Sequence, residues 1–175
     1  MVIAVGGGLL GACGTAKKNP PATSTTISHH VVLTDCKAAL LGVTASFGGT
    51  AAGVGYYRVL ATNHAGVSCT LDGFATLRFF APTAGGGAGS LTPVAMTVQH
   101  AGTSPKTLTI KAGAVGEFVL SYSDEPVNGT GCSTIASVEV TLPHQSSSIP
   151  VAISFSPCGG VITEQPFAYP GTQNP

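Results

Sequence analysis

Five cysteines, five histidines and seven carboxylates are the side chains of this 175-residue chain best equipped for chemistry. The cysteines are Cys13, Cys36, Cys69, Cys132 and Cys158, and no two form a C-x-x-C pair, so the spacing of a closed zinc site is missing. Cys36, Cys69, Cys132 and Cys158 lie well apart in the body of the chain, as expected of two disulfides in an oxidising compartment; buried free thiols are the plainer alternative. Four cysteines allow three connectivities. Cys36–Cys69 and Cys132–Cys158 are favoured, because each closes a segment of only two or three strands. Bridges of that loop length are worth roughly 3–4 kcal/mol each in the chain-entropy account.

The histidines are His29, His30, His64, His100 and His144. No H-x-H or H-x-x-x-H spacing puts two of them on one face of an element, so no metal site is assigned. Asp35, Asp72, Asp124 and Glu125 fall in turn-rich stretches. Adjacency of Asp124 and Glu125 says nothing about the opposed geometry of glycoside hydrolysis. No G-x-S-x-G elbow occurs, and GGGAGS lacks the lysine and following helix of a phosphate-binding loop. Asn128-Gly129-Thr130 matches a glycosylation sequon but reads more simply as a turn. No catalytic residue and no cofactor are assigned. A hydrolase would need two or three of His64, His100, Asp72 and Asp124 to converge in a cleft.

The elements that must position these groups are strands. ALLGVTASF places Leu41, Val43, Ala45 and Phe47 on one side and Thr44 and Ser46 on the other. PVAMTVQH, EFVLSYS, SVEVTLP and VAISFS alternate in the same way, which is the pattern of half-buried strands. YYRVLATN, ATLRFFAP and TLTIKAG add three more, the inward face of Tyr56–Asn63 being ambiguous. FGGTAAG, AGTSPKT, DEPVNGTG and GGGAGS supply the turns. Seven or eight short strands without a helical repeat predict an all-β fold, an immunoglobulin-like antiparallel β-sandwich, over 34–165, with 166–175 as a tail. Trp is absent, so the buried Trp of antibody domains has no counterpart.

Composition narrows the partners. Charged residues make up 8% of the chain and seven basic side chains balance seven acidic ones, so no basic field exists to draw nucleic acid or anionic lipid. The polar surface must come from Ser, Thr, Asn, Gln and Gly. MVIAVGGGLLGAC is too short to span a bilayer as a helix but has the length of a secretory signal's apolar region. GTAKKNPPATSTTISHH then reads as a flexible tether; as a coil of about 20 residues it would span roughly 25 Å.

Leu10-Gly11-Ala12-Cys13 resembles the lipobox of bacterial lipoproteins: Leu, two small residues, then the cysteine that takes the lipid. The expected order is a signal segment at 1–12, a tether at 13–33 and the sandwich. Cys13 would be the lipidation site, and the odd cysteine count agrees, since an unpaired fifth thiol outside the cell is a liability. Such signals open on Lys or Arg and no charge precedes Cys13, so an upstream start or a truncation is expected.

A wider resemblance covers most of 36–165. LATNHAGVSCTLDGFATLRF, with Thr62-Asn63, Gly66, Cys69, Leu71, Gly73 and Phe74, then Cys132, then Cys158-Gly159-Gly160-Val161-Ile162, is similar to an actinobacterial domain-of-unknown-function family numbered 4232. The resemblance implies an exported, often lipid-anchored β-rich protein and no particular activity. Asn63 and Gly73 are expected to serve turn geometry. The functional expectation is a cell-envelope lipoprotein on the extracytoplasmic face of the cell membrane. A lipid on Cys13 would hold it there while a non-enzymatic sandwich binds an envelope component or partner protein. The 85–90 loop and residues 124–131 are its candidate surfaces. A secreted hydrolase and a passive surface protein are the alternatives.

Overall fold

The structure, a computed structural model, describes residues 33–102, 104–126 and 129–173. Cys13, the signal segment, the tether as far as residue 32, His29, His30 and Asn128 lie outside the described residues. Eleven strands follow a 3-10 turn at Ala38–Leu40: β1 (Leu41–Ala51), β2 (Val54–Asn63), β3 (Cys69–Leu71), β4 (Thr76–Pro82), β5 (Leu91–Val94), β6 (Thr97–His100), β7 (Leu108–Ile110), β8 (Val115–Ser123), β9 (Ile135–Thr141), β10 (Ser148–Phe155) and β11 (Val161–Glu164). They form a five-stranded sheet, β1-β2-β8-β11-β6, a four-stranded sheet, β10-β9-β4-β5, and the short pair β3-β7. The expected all-β sandwich is present, with more strands than the seven or eight legible as alternating runs. One neighbour pair, β6 with β11, is parallel. Among the described residues no helix is long and apolar enough to cross a membrane.

The alternation read in the sequence does what the pleat requires. Val138 and Val140 on β9, and Val151, Ile153 and Phe155 on β10, all face one core. The ambiguous β2 resolves cleanly, with Tyr57, Val59 and Ala61 inward and Tyr56, Arg58 and Leu60 outward. Tyr57, Tyr122 and Phe155 join the two large sheets through ring contacts at 5.3 and 4.7 Å. Phe118, wholly buried on β8, meets Phe167 edge-on at 4.9 Å. Truncating Phe118 to Ala would cost about 3–5 kcal/mol, the usual price of an emptied aromatic site.

Three departures matter for function. PVAMTVQH is not one strand: it breaks after Val94, so that β5 pairs with β4 and β6 pairs with β11 in the other sheet. Val94, Met96 and Val98 still pack on the core across the break, which is why the alternation runs through it. Phe47, expected inward, is 56% exposed at the sheet edge, its ring 5.5 Å from Tyr57. Finally, the stretch after residue 165 is not a loose tail. Ala168 bridges to Glu117, Phe167 enters the core, and the Tyr169 hydroxyl donates to the Thr109 carbonyl at 3.0 Å. This cover explains why β8 buries both of its faces near Glu117–Leu120.

The disulfides are Cys36–Cys69 and Cys132–Cys158, closing 33 and 26 residues. The first ties the entry segment to β3, where the Cys36 N–H donates to the Thr70 carbonyl. The second fastens the segment after β8 to the turn that opens β11, and the Cys158 N–H donates to the Ser123 carbonyl at 2.8 Å.

Candidate functional site

Asn63 ends β2 with its side chain wholly buried and fully used. Its Nδ2 donates to the carbonyls of Val67 at 2.9 Å and Ile110 at 3.0 Å, and its Oδ1 accepts the Ala65 N–H at 2.9 Å. One short amide thereby closes the β2–β3 turn and clips it to β7, which is a structural task. Gly73 has φ +110°, a conformation closed to side chains, and it turns the chain so that Phe74 and Ala75 reach the edge of the five-stranded sheet.

There they meet the most unusual polar group in the fold. Glu164 is the last residue of β11, paired in register with Leu120 on β8 and His100 on β6, and its parity turns it inward. Its side chain is fully shut off from solvent. Oε1 accepts the Ala75 N–H at 2.8 Å, whereas Oε2 has no hydrogen-bond partner. His100 Nε2 stands 3.6 Å from Oε2, beyond hydrogen-bonding range, and the imidazole stacks on Phe74 with ring centres 3.9 Å apart. Burial pushes the Glu164 carboxyl up to about 8, opposed by the Ala75 N–H, so at neutral pH the group is a neutral acid. Chemically the cluster stores one proton beneath one half-exposed imidazole. Among the described residues, no group of three or more His, Cys, Asp or Glu side chains is placed to hold a metal.

The outer face of the same sheet carries a cleft of about 510 Å³, lined by Val54, Ser121, Tyr122, Ser123, Thr130, Cys158, Gly159, Val161 and Thr163. Parity puts Ser121 and Ser123 of β8 and Val161 and Thr163 of β11 on this face, opposite the core-facing Tyr122 and Ile162. The Cys132–Cys158 bridge holds one wall, and Gly159 and Gly160, at φ +75° and +69°, make the bend that brings Thr130 alongside. No lining residue carries a charge. Further down this face Arg58 is paired with the buried Glu117 at 2.8 Å.

His64, His100, Asp72 and Asp124 are not brought together. His64 lies over Gly42, His100 on Phe74, and the Asp124 N–H meets the Gly53 carbonyl at the opposite end of β2 from Asn63. Asp35 bridges to Thr70, Asp72 is exposed in the turn after β3, and His144, at φ +60°, sits in the β9–β10 turn. Glu125 receives the Ser123 hydroxyl on its carbonyl at 2.9 Å. The 85–90 loop closes on its own backbone between Thr83 and Ser90, while residues 124–131 contribute Thr130 to the cleft. Glu164 and Glu117 are the residues that sequence reasoning missed. The spacing of Glu164 two positions after the apolar Ile162 was the available signal for an inward carboxyl.

No curated protein and no solved structure matches the chain. A family model does: the family described as a domain of unknown function (DUF4232) matches residues 36–168. That span includes Asn63, Gly73, Phe74, Glu164 and both disulfides, and on it the chain belongs to this family.

Proposed function

We propose that this protein is a cell-envelope lipoprotein, diacylated at Cys13 and held on the extracytoplasmic face of the membrane, whose disulfide-braced β-sandwich is a non-enzymatic binding module. The lipid half of this reading is supported by Leu10-Gly11-Ala12-Cys13, and by the use of the other four cysteines in two bridges, which leaves Cys13 as the odd one. Two acyl chains anchor stably where one anchors marginally, so a diacylglyceryl group suffices.

The binding half rests on one observation: the cleft beside the Cys132–Cys158 bridge, preformed on a rigid sheet face and free of charge. Binding sites are concave, with polar groups fixed by rigid elements, and a bridge that holds one wall lowers the ordering needed on binding. A photoreactive benzoylphenylalanine at Thr163, in the full chain within its host envelope, tests the reading. Irradiation should give a covalent adduct with an envelope component, and the same group at exposed Thr92 on β5 should not. Equal adducts from both positions, or none from Thr163, would contradict it.

A further inference from the structure

We infer that the cleft takes a neutral, hydroxyl-rich carbohydrate; this rests on reading the cleft as the ligand site and names the ligand's chemistry. Register across the sheet sets Ser121 beside Thr163 in the cleft and continues the same uncharged polar row outside its lining, to Tyr56 on β2 and Gln99 on β6. Strand spacing sets these groups about 4.8 Å apart. Alongside runs a second row, in which Val54 faces Ser123 and Val161 faces Thr97. Hydroxyls, an amide and a phenol each both donate and accept hydrogen bonds. Val54 and Val161, which line the cleft, offer apolar surface to a sugar's C–H face. The hydroxyls of Ser121 and Thr163 are engaged by no other described residue, so they are available to a ligand.

The other ligand classes fit less well. A phosphate, an anionic lipid or a nucleic acid needs clustered Lys and Arg, and Arg58, the basic residue on this face, is committed to Glu117. A divalent cation needs carboxylates, and none lines the cleft. An extended peptide adds to a sheet edge, but β2, β8 and β11 are interior strands whose backbone groups already serve the ladder. A wholly apolar ligand would strand the Ser and Thr hydroxyls without water. What remains is a partner that is neutral, rich in donors and acceptors, and able to present an apolar ring face.

Affinity electrophoresis of the full chain, in a polyoxyethylene detergent, through gels containing dextran, mannan or galactan, with polygalacturonate as the anionic control, tests this directly. Retardation by at least one neutral polymer and not by polygalacturonate is expected. Ser121→Arg should weaken that retardation at least tenfold. Thr163→Val, which keeps the strand and removes only a hydroxyl, should weaken it several-fold at an unchanged melting temperature. No retardation by any neutral polymer, retardation by polygalacturonate alone, or retardation indifferent to both variants would overturn the inference. If the Thr163 photoadduct forms in the envelope and no neutral polymer binds, the cleft stands as a binding site and the carbohydrate assignment falls.

Discussion

His100 Nε2 lies 3.6 Å from Glu164 Oε2, and the two differ sharply in exposure: the glutamate side chain is fully buried and the histidine side chain is 51% exposed. Desolvation therefore governs the carboxyl, whose proton affinity in the folded chain corresponds to about pH 8 against an ordinary 4.5. Between those values the folded state holds a proton that the unfolded state has released. The stability linked to this group is complete below about pH 4.5 and declines as pH rises through the folded value, at about 1.4 kcal/mol per pH unit. The urea midpoint of the wild type should fall from pH 5 to pH 8. Glu164→Gln should flatten that dependence and be the more stable protein at pH 8. An identical slope in the variant would show that the carboxyl is not the source.

Asn63 supports a second prediction. Asn63→Ala removes two donors and one acceptor from a buried turn and leaves the Val67 and Ile110 carbonyls and the Ala65 N–H without their partner. The loss should be roughly 2–4 kcal/mol in urea unfolding. Because the β2–β3 turn is remote from the cleft, the Thr163 photoadduct should survive. A loss under about 0.5 kcal/mol, the range of ordinary surface changes, would refute the role given to this amide.

Gly55 offers a third. It faces inward on β2 opposite Tyr122, and a Cβ built there would run into the Tyr122 ring. Gly55→Ala is expected to destabilise by about 1–3 kcal/mol through overpacking, and Gly55→Ala combined with Tyr122→Leu to recover part of it. Equal losses in the single and double variants would mean that the ring is not what excludes the methyl group.

The two bridges should not be equivalent. Loss of either, as Cys36→Ala with Cys69→Ala or Cys132→Ala with Cys158→Ala, should cost roughly 3 kcal/mol, since the loops of 33 and 26 residues are similar. Only the second lines the cleft, so only its removal should also diminish the Thr163 photoadduct at a temperature where both variants stay folded. Equal adducts in the two variants would separate the bridge from the site.

How far the sequence reveals this molecule depends on the length of each signal. β1, β2, β4, β8, β9 and β10 run for seven residues or more, long enough for strand-forming runs to show, and β1, β8, β9 and β10 carry the period-two alternation that identifies a strand directly. β3 and β11 have three and four residues, too few for a period, so both were invisible although β11 carries Glu164 and part of the cleft. The sheet switch between Val94 and Thr97 left no mark, because residues on either side keep the same inward parity. Side-chain alternation puts Glu117 on the face of β8 opposite Phe118 but cannot show that the segment after residue 165 covers that face and buries it. The cleft arises from register between β2, β8, β11 and β6, and register is a property of pairing that no single strand encodes.

Membrane fractionation with intact-mass measurement, on the full chain and on Cys13→Ser, tests whether Cys13 holds the proposed binding sandwich to a membrane. Wild-type protein should appear in the membrane fraction with the added mass of a diacylglyceryl group on Cys13, and the variant in the soluble fraction without it. A Cys13→Ser protein that stays in the membrane fraction, with no acyl mass lost relative to wild type, would contradict this attachment.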